Sequence, residues 1–499
     1  MSPDTLTIEL ADEAATARLG ADLAAVARVG DVFALSGDLG AGKTTLARGF
    51  VRALAGGPAM DVPSPTFTLV QSYPGRIAVH HFDLYRLASG SDLDELGFDE
   101  AVSDGVALVE WPERAAELLP AGRIRIELAH RGEGRVATID APEATLSRLR
   151  RTLSIRRFLA EAGAAEATRT FLLGDASTRT YETVTAPGAP KRILMNAPRQ
   201  PDGPPIRDGK PYSQIAHLAE SVTPFVAIAK ALTSRGFCAP KIFAQDLDQG
   251  LLLIEHLGGG GFLDAAGAPV PERYLAAAAL LADMHRQSWP LELEAAPGVV
   301  HHLPLYDRDA MMIEAELLTD WYVPNETGSA LTNDDRAEYR AAWDSAIARL
   351  ASAEKSIVLR DYHSPNIIWR KERSGNDRLG IIDFQDALWG PAAYDVASLA
   401  LDARVTIPPE LERATVDAYK AARHAQGGFD ETGFDEAYAI MAAQRNSKIL
   451  GIFVRLNRRD GKPQYLKHLP RIRDYVGRVL PHPALAAVRS FYLSRGLLG

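Results

Sequence analysis

The sequence predicts an α/β domain followed by a larger α+β domain on one chain of 499 residues. Three observations carry that reading. The length exceeds what a single hydrophobic core usually organises, so two or three domains are expected. Before residue 142, short apolar runs alternate with helical spacing and end in a hairpin signal. Beyond it, a β-rich portion over 170–260 precedes a long helix-rich portion.

In chain order, "DVFALSG" is a short apolar strand ending in Gly37, and "TTLARGFVRALAG" follows with helical spacing and a glycine stop. "TFTLVQSYP", "IAVHHFDLY", "VALVEWPE", "RIRIELAHR" and "RVATIDAP" read as strands. The last two are joined by "GEG", a hairpin turn, which puts an antiparallel edge on the sheet. "APEATLSRLRR" is polar and basic with a proline near its head. The expected division is a first domain over 1–142, a linker over 143–152 and a second domain over 153–499. "TLSIRRFLAEAG" opens the second domain as an amphipathic helix, and "NAPRQPDGPPIRDGKP" reads as a surface loop.

Composition excludes several classes. The 46% hydrophobic and 24% charged residues are ordinary for a globular protein. A net charge of -9 shows no basic surplus for gripping nucleic acid. One cysteine, Cys238, rules out an intrachain disulfide and fits a reducing compartment. The start carries acids and no apolar signal core, and no apolar run approaches the roughly 20 residues of a membrane helix. A cytoplasmic location without membrane attachment is the expectation.

Gly37-Asp38-Leu39-Gly40-Ala41-Gly42-Lys43-Thr44 satisfies G-x-x-x-x-G-K-[ST] between a strand and a helix. The glycines let backbone N–H groups curl around phosphate oxygens. Lys43 sets a point charge against the β- and γ-phosphates of a nucleotide. The Thr44 hydroxyl can reach Mg²⁺, and the following helix points its positive end at the anion. A carboxylate at the end of a neighbouring strand, Glu110, stands where a metal's water shell needs an anion.

The loop occurs with "VPSPTFTLVQSY", "HHFDLYRL" and "LVEWPER", in that order. Together these resemble the small bacterial ATPase family TsaE over about the first 140 residues. The resemblance implies an α/β P-loop NTPase fold and ATP hydrolysis supporting threonylcarbamoyladenosine formation at position 37 of tRNA. It implies TsaB- and TsaD-type protein partners, with tRNA involved only indirectly. Residue by residue, Gly40, Ala41, Gly42, Lys43, Thr44 and Thr45 would bind phosphates, and Thr44 and Glu110 would hold Mg²⁺. Asp83 would act near the γ-phosphate, with a helix cap as the alternative. Arg135 would approach the nucleotide. Trp111 matches the tryptophan after the metal carboxylate, or it packs. Ser64-Pro65-Thr66 reads as a switch-type loop or a rigid turn. His80 and His81 point to opposite faces of a strand, which argues against a shared metal site.

A second phosphate apparatus appears at "IVLRDYHSPNIIW" and "LGIIDFQDA". Asp361 and Asn366 have the D-x-x-x-x-N spacing of a kinase catalytic loop, and Asp383 follows an apolar strand. Chemistry assigns Asp361 the proton of an attacking hydroxyl, and gives Asn366 and Asp383 a Mg²⁺ held against ATP phosphates. His363 reads as a loop-shaping residue. Trp321 and Tyr322 offer a sugar-stacking surface or core packing.

From about Arg151 onward, "LGDASTRTY", "ILMNAP", "LLLIEHLG", "DFQDALWGPAAYDVASLALDAR" and "QRNSKILGIFVRLNRRDGKPQYLKHLPR" resemble the aminoglycoside phosphotransferase superfamily. Within it they are similar to the AmgK kinases, which phosphorylate N-acetylmuramate and N-acetylglucosamine at the anomeric oxygen in cell-wall recycling. The resemblance implies an α+β protein-kinase-like, two-lobed fold and an amino-sugar substrate. The turn with Gly174 and Ser177 would lie over the ATP phosphates, and backbone near Glu255 would form the adenine hinge. Met195 stands near the expected third-strand lysine, and Asn196 replaces the acid of M-D-A-P. Another small hydroxyl substrate, aminoglycoside or choline-like, and a non-catalytic regulatory module are the alternatives.

Overall fold

Each apolar run of the first domain contributes a strand to one seven-stranded sheet, and a strand the patterning did not single out joins its edge. The computed structural model describes residues 5–57, 60–87, 92–172 and 179–497. The strands are β1 (Leu6–Leu10), β2 (Val32–Ser36), β3 (Val70–Tyr73), β4 (Ala78–Asp83), β5 (Gly105–Glu110), β6 (Ile124–Arg131) and β7 (Gly134–Asp140). Their order is β1-β7-β6-β2-β5-β4-β3. The centre is parallel, β2 pairing with β5 and β6 and β4 with β5. The pairs at both edges are antiparallel. All six residues of β5 are buried, as a strand covered on both faces requires.

The helix α1 (Glu13–Val26) is capped by Asp12, whose carboxylate accepts from the Ala15 N–H at 2.6 Å. The helix α2 (Lys43–Ala55) starts directly after Gly42 and stops at Gly56, both in the left-handed region. Leu46, Ala47, Phe50, Val51 and Leu54 bury its inner face, and the Phe50 ring meets Phe33 of β2 edge-on at 4.8 Å.

Residues 143–152, expected as a linker, are instead the first half of a continuous helix, Glu143–Glu161. Pro142 sits at its N-cap, where a missing N–H costs nothing, and no glycine or proline interrupts the nineteen residues that follow. Polar composition had hidden an inner face of Leu146, Leu149, Ile155, Phe158 and Leu159. The strands β8 (Thr168–Leu172) and β9 (Thr180–Thr185) pair antiparallel. Gly174 and Ser177, between them, lie outside the described residues.

The chain divides into two compact units, Met1–Leu194 and Met195–Gly499, so the division falls inside β10 (Arg192–Asn196) and not near residue 142. In the first unit, Asp22 of α1 is 5% exposed and accepts from Arg156 at 2.8 Å and from Arg169 of β8 at 3.0 Å. Arg169 also donates to Glu182 of β9 at 2.6 Å. Burial opposes the Arg169 charge, but Glu182 and Asp22 hold its guanidinium above its ordinary pKa.

In the second unit the helix Thr223–Ser234 precedes a hairpin, Ile242–Asp246 with Leu251–Glu255, and most of the remaining length is helical. Two short ladders carry the loop with Asp361 and Asn366: Lys355–Val358 with Leu388–Pro391, and Ile367–Trp369 with Leu379–Ile381. The expected surface loop over 196–211 carries a minimal strand pair, Pro205–Arg207 with Lys210–Pro211. Tyr322 is buried, which favours packing over sugar stacking at that position. Among the described residues, no helix is long and apolar enough to cross a membrane.

Replacing Asp22 with alanine removes the buried carboxylate that Arg156 and Arg169 share, leaving Arg169 with Glu182. Asp22→Ala is expected to lower the stability of the first unit by about 3 kcal/mol, read from urea unfolding of the full chain. A loss below about 0.5 kcal/mol, the level of an exposed pair, would show that the network contributes little.

Candidate active sites

The parallel register sets the first site. Leu35 of β2 pairs with Glu110, and Asp83 of β4 pairs with Glu110 across β5, so two carboxylates end adjacent strands beside the loop that leaves β2. Ligand sites in open α/β sheets form at such carboxyl ends. The loop needs its glycines: Gly37, Gly40 and Gly42 have φ of 134°, 82° and 105°. A Cβ on Gly37 would also meet the Leu128 carbonyl oxygen at 2.2 Å.

Lys43 donates to the carbonyls of Gly37 at 2.6 Å and Asp38 at 2.9 Å, and its ammonium lies 3.7 Å from the centre of the Trp111 ring. Burial lowers its pKa against the opposing pull of Glu110, Glu113, Asp83 and Asp38. The Thr44 hydroxyl donates to Glu110 Oε2 at 3.0 Å, joining the two metal candidates. Thr45 donates to Glu13 at 3.3 Å. Arg135 lies against the loop, since a Cβ on Gly42 would come within 3.0 Å of its Nε, and that buried Nε has no hydrogen-bond partner.

Two features of this site were not read from the sequence. His81 Nε2 lies 3.0 Å from Glu110 Oε1, both groups buried, so the histidine fixes the carboxylate that Thr44 approaches from the other oxygen. It is the neighbour of a metal candidate and shares no metal with His80, which instead contacts Asp104. Asp83 Oδ2 accepts from Ser64 at 2.5 Å and Thr66 at 2.8 Å, while Oδ1 accepts from the Tyr85 N–H at 3.1 Å. The Ser64-Pro65-Thr66 segment is therefore tethered to Asp83. The Tyr85 bond is a short turn of the kind a helix cap would make, and it occupies only one of the two oxygens.

In the second unit, Arg360 and Asp383 both have positive φ, 67° and 60°, an uncommon backbone for such residues and one that clusters at functional sites. The Asn366 amide donates to the Asp361 carbonyl at 3.0 Å and to Asp383 Oδ2 at 3.3 Å. Asp383 Oδ1 accepts from Gln385 at 2.8 Å. Asp361, Asn366 and Asp383 thus come together. His363 is buried, 3.9 Å from Asp361 at its Nε2. Asp395 anchors the loop's start by accepting from the Leu359 and Arg360 N–H groups at 2.6 and 3.0 Å. Asp402 holds its middle by accepting from the Ser364 N–H at 2.8 Å. Desolvation pushes the Asp361 carboxyl up, but His363, Lys448, Arg445 and Arg360 together hold it below the usual carboxylate range.

Glu255 ends its strand, and its side chain turns to Arg370 at 3.5 Å, leaving backbone as its contribution to any hinge. Met195 is buried in β10, so no cation occupies the position where a third-strand lysine was expected.

The cluster that sequence reading missed is centred on Glu314, which is 0% exposed. It pairs with Arg360, accepts from Lys448 at 2.8 Å and from the Tyr306 hydroxyl at 2.6 Å, and is approached by Gln444 at 3.3 Å. Burial alone would raise its carboxyl, but Lys448 and Arg360 hold it at about 2. The helical spacing of Gln444 and Lys448 (i, i+4) in "QRNSKILG" was the available signal for one half of this cluster.

The first unit has the site of a P-loop NTPase and the second that of a kinase-type phosphotransferase. Comparisons agree with both. The family model "Threonylcarbamoyl adenosine biosynthesis protein TsaE" matches residues 10–137. The model "Phosphotransferase enzyme family" matches residues 168–432, more than half of the chain. An N-acetylmuramate/N-acetylglucosamine kinase of Caulobacter vibrioides is 36% identical over 67% of this chain and 94% of its own length. The TsaE of Bacillus subtilis is 44% identical over 22% of this chain and 68% of its own length. That of Treponema pallidum is 41% identical over 24% and 87%. The chain belongs to the TsaE family through its N-terminal part and to the phosphotransferase enzyme family through its C-terminal part.

The Glu314 cluster has a pH signature. Because the folded carboxyl titrates near 2 and the free one near 4.5, its stabilisation is present above pH 4.5 and lost as the pH falls toward 2. Glu314→Gln is expected to destabilise the second unit by about 3 kcal/mol at neutral pH and to flatten the acid limb of its stability profile. Denaturant midpoints measured between neutrality and strong acid check both; an unchanged acid limb would contradict the assignment.

Proposed function

We propose that the chain is bifunctional. Its N-terminal domain hydrolyses ATP in support of tRNA threonylcarbamoyladenosine formation, and its C-terminal domain phosphorylates N-acetylmuramate and N-acetylglucosamine at the anomeric oxygen. The observation that carries this reading is that two separate constellations occur on one chain: Lys43, Thr44, Asp83 and Glu110, and Asp361, Asn366 and Asp383. Neither set borrows a residue from the other.

In the kinase domain, Asp361 accepts the proton of the anomeric hydroxyl, whose oxygen attacks the γ-phosphorus while the bond to the β-phosphate oxygen breaks and ADP leaves. The cations around Asp361 keep it able to accept that proton. Asn366 and Asp383 offer hard oxygen donors, and so do Thr44 and Glu110 in the first domain; both sets suit Mg²⁺ with its remaining positions filled by phosphate and water. Bound there, Mg²⁺ would withdraw charge from the phosphate oxygens. In the first domain, Lys43 and the loop N–H groups bind phosphate, Arg135 brings an unpaired donor to the loop, and Asp83 acts near the γ-phosphate. Asp83 links that position to Ser64 and Thr66, a route by which nucleotide state could reach protein partners of the TsaB and TsaD type. The indirect role toward tRNA suits the net charge of -9. A cytoplasmic location belongs to this proposal.

Two substitutions in the full chain separate the activities. Lys43→Ala should lower ATP hydrolysis by about 100-fold or more while sugar 1-phosphate formation, followed by phosphorus NMR, stays within a few-fold of wild type. Asp361→Asn should do the reverse. If wild type transfers phosphate to another alcohol and to neither amino sugar, the kinase reading fails; if Asp361→Asn keeps full turnover, the assigned base is wrong.

A further inference from the structure

Lys448 lies on the inner side of the long helix Glu431–Asp460, near the catalytic loop, and its ammonium has three hydrogens to donate. Two have partners, Glu314 Oε1 at 2.8 Å and the Tyr394 hydroxyl at 3.3 Å. The side chain keeps 13% exposure although it is tied to a carboxylate that has none. Glu314 also pairs with Arg360, so this one carboxylate is shared between two cations. Both cations favour the ionised form of Asp361.

A second observation points the same way. Arg445, one turn before Lys448, is 3% exposed, and its buried Nη1 has no hydrogen-bond partner. An unpaired buried guanidinium donor is costly, and an anionic group brought in with the acceptor would recover that cost on binding. Lys448 and Arg445, on the helix that reaches Arg360 through Glu314, thus each keep a donor without a partner, and an incoming anion would satisfy them. The acceptor can be that anion. N-acetylmuramate carries a carboxylate on its lactyl ether, and N-acetylglucosamine carries none.

We propose that Lys448, held in place by Glu314 and Tyr394, uses its third hydrogen to bind the carboxylate of an acid-bearing amino-sugar acceptor, and so sets the preference for that acceptor over its neutral counterpart. This rests on the amino-sugar kinase reading. The residue binds and orients; Asp361 remains the base. Loss of a purely structural or electrostatic lysine would affect both sugars alike, whereas loss of a carboxylate-binding lysine lowers use of the acid-bearing sugar further than that of the neutral one.

The test compares kcat/KM for the two sugars in wild type and in Lys448→Gln, which removes the charge but leaves a donor for Glu314. The ratio favouring N-acetylmuramate should fall about ten-fold or more, as expected for one charge-assisted hydrogen bond, with the change in KM for the sugar and KM for ATP unaltered. An equal fall for both sugars, or a rise confined to KM for ATP, would overturn the proposal. Wild-type enzyme supplies an arm that needs no folded variant: the methyl ester of N-acetylmuramate should be used about ten-fold less well than the acid. If ester and acid are used equally, the proposal is wrong. If wild type phosphorylates neither sugar, the kinase reading itself falls, an outcome distinct from an unchanged ratio.

Discussion

Glu110 and Asp83 face each other because β4 and β5 run parallel in a register that pairs them, with the phosphate loop leaving β2 on the far side of Glu110. That placement is the constraint on which the first site depends. A one-residue slip of either strand would turn one carboxylate to the opposite face. Everything else at the site serves to hold the acids where the register puts them: His81 and Thr44 take the two oxygens of Glu110, and Ser64, Thr66 and the Tyr85 N–H take those of Asp83.

The second unit meets the same requirement with charge in place of register. Its catalytic loop has residues in the left-handed region at Arg360 and Asp383, and such backbone persists only when its surroundings over-determine it. Glu314 grips the Arg360 side chain, Asp395 takes the N–H groups of Leu359 and Arg360, and Asp402 takes that of Ser364. Three buried acids from outside the loop thus hold it, while Lys448 and Arg445 restore positive charge near Asp361. Removing one partner of such a network costs more than the pair itself is worth, because the other is left buried and unpaired.

What was legible in the sequence was local. The phosphate loop, the Asp361/Asn366 spacing and the strand before Asp383 lie within short windows whose residue types are dictated by phosphate chemistry, and the structure brings each set together. The hairpin of β6 and β7 was readable for the same reason, a turn between two alternating runs. What was not legible acts over long separations. Glu314 stands 46 positions before Arg360 and 134 before Lys448, and nothing in its own neighbourhood marks it. His81 was weighed only for a metal shared with His80, which its strand face argued against, when its partner Glu110 lay on the next strand. The first half of the helix Glu143–Glu161 was read as a linker because its polar outer face dominates the composition there, while its second half was read as a helix. β1 escaped because its alternation is short and acidic, and only pairing with β7 makes it a strand.

The central claim is that the chain holds two independent nucleotide machines. The most direct measurement is the binding stoichiometry of a non-hydrolysable ATP analogue with Mg²⁺ on the intact wild-type chain, by calorimetry or equilibrium dialysis. The account predicts two nucleotides per chain at saturation. One nucleotide per chain would contradict it, because one of the two phosphate sites would then not bind ATP.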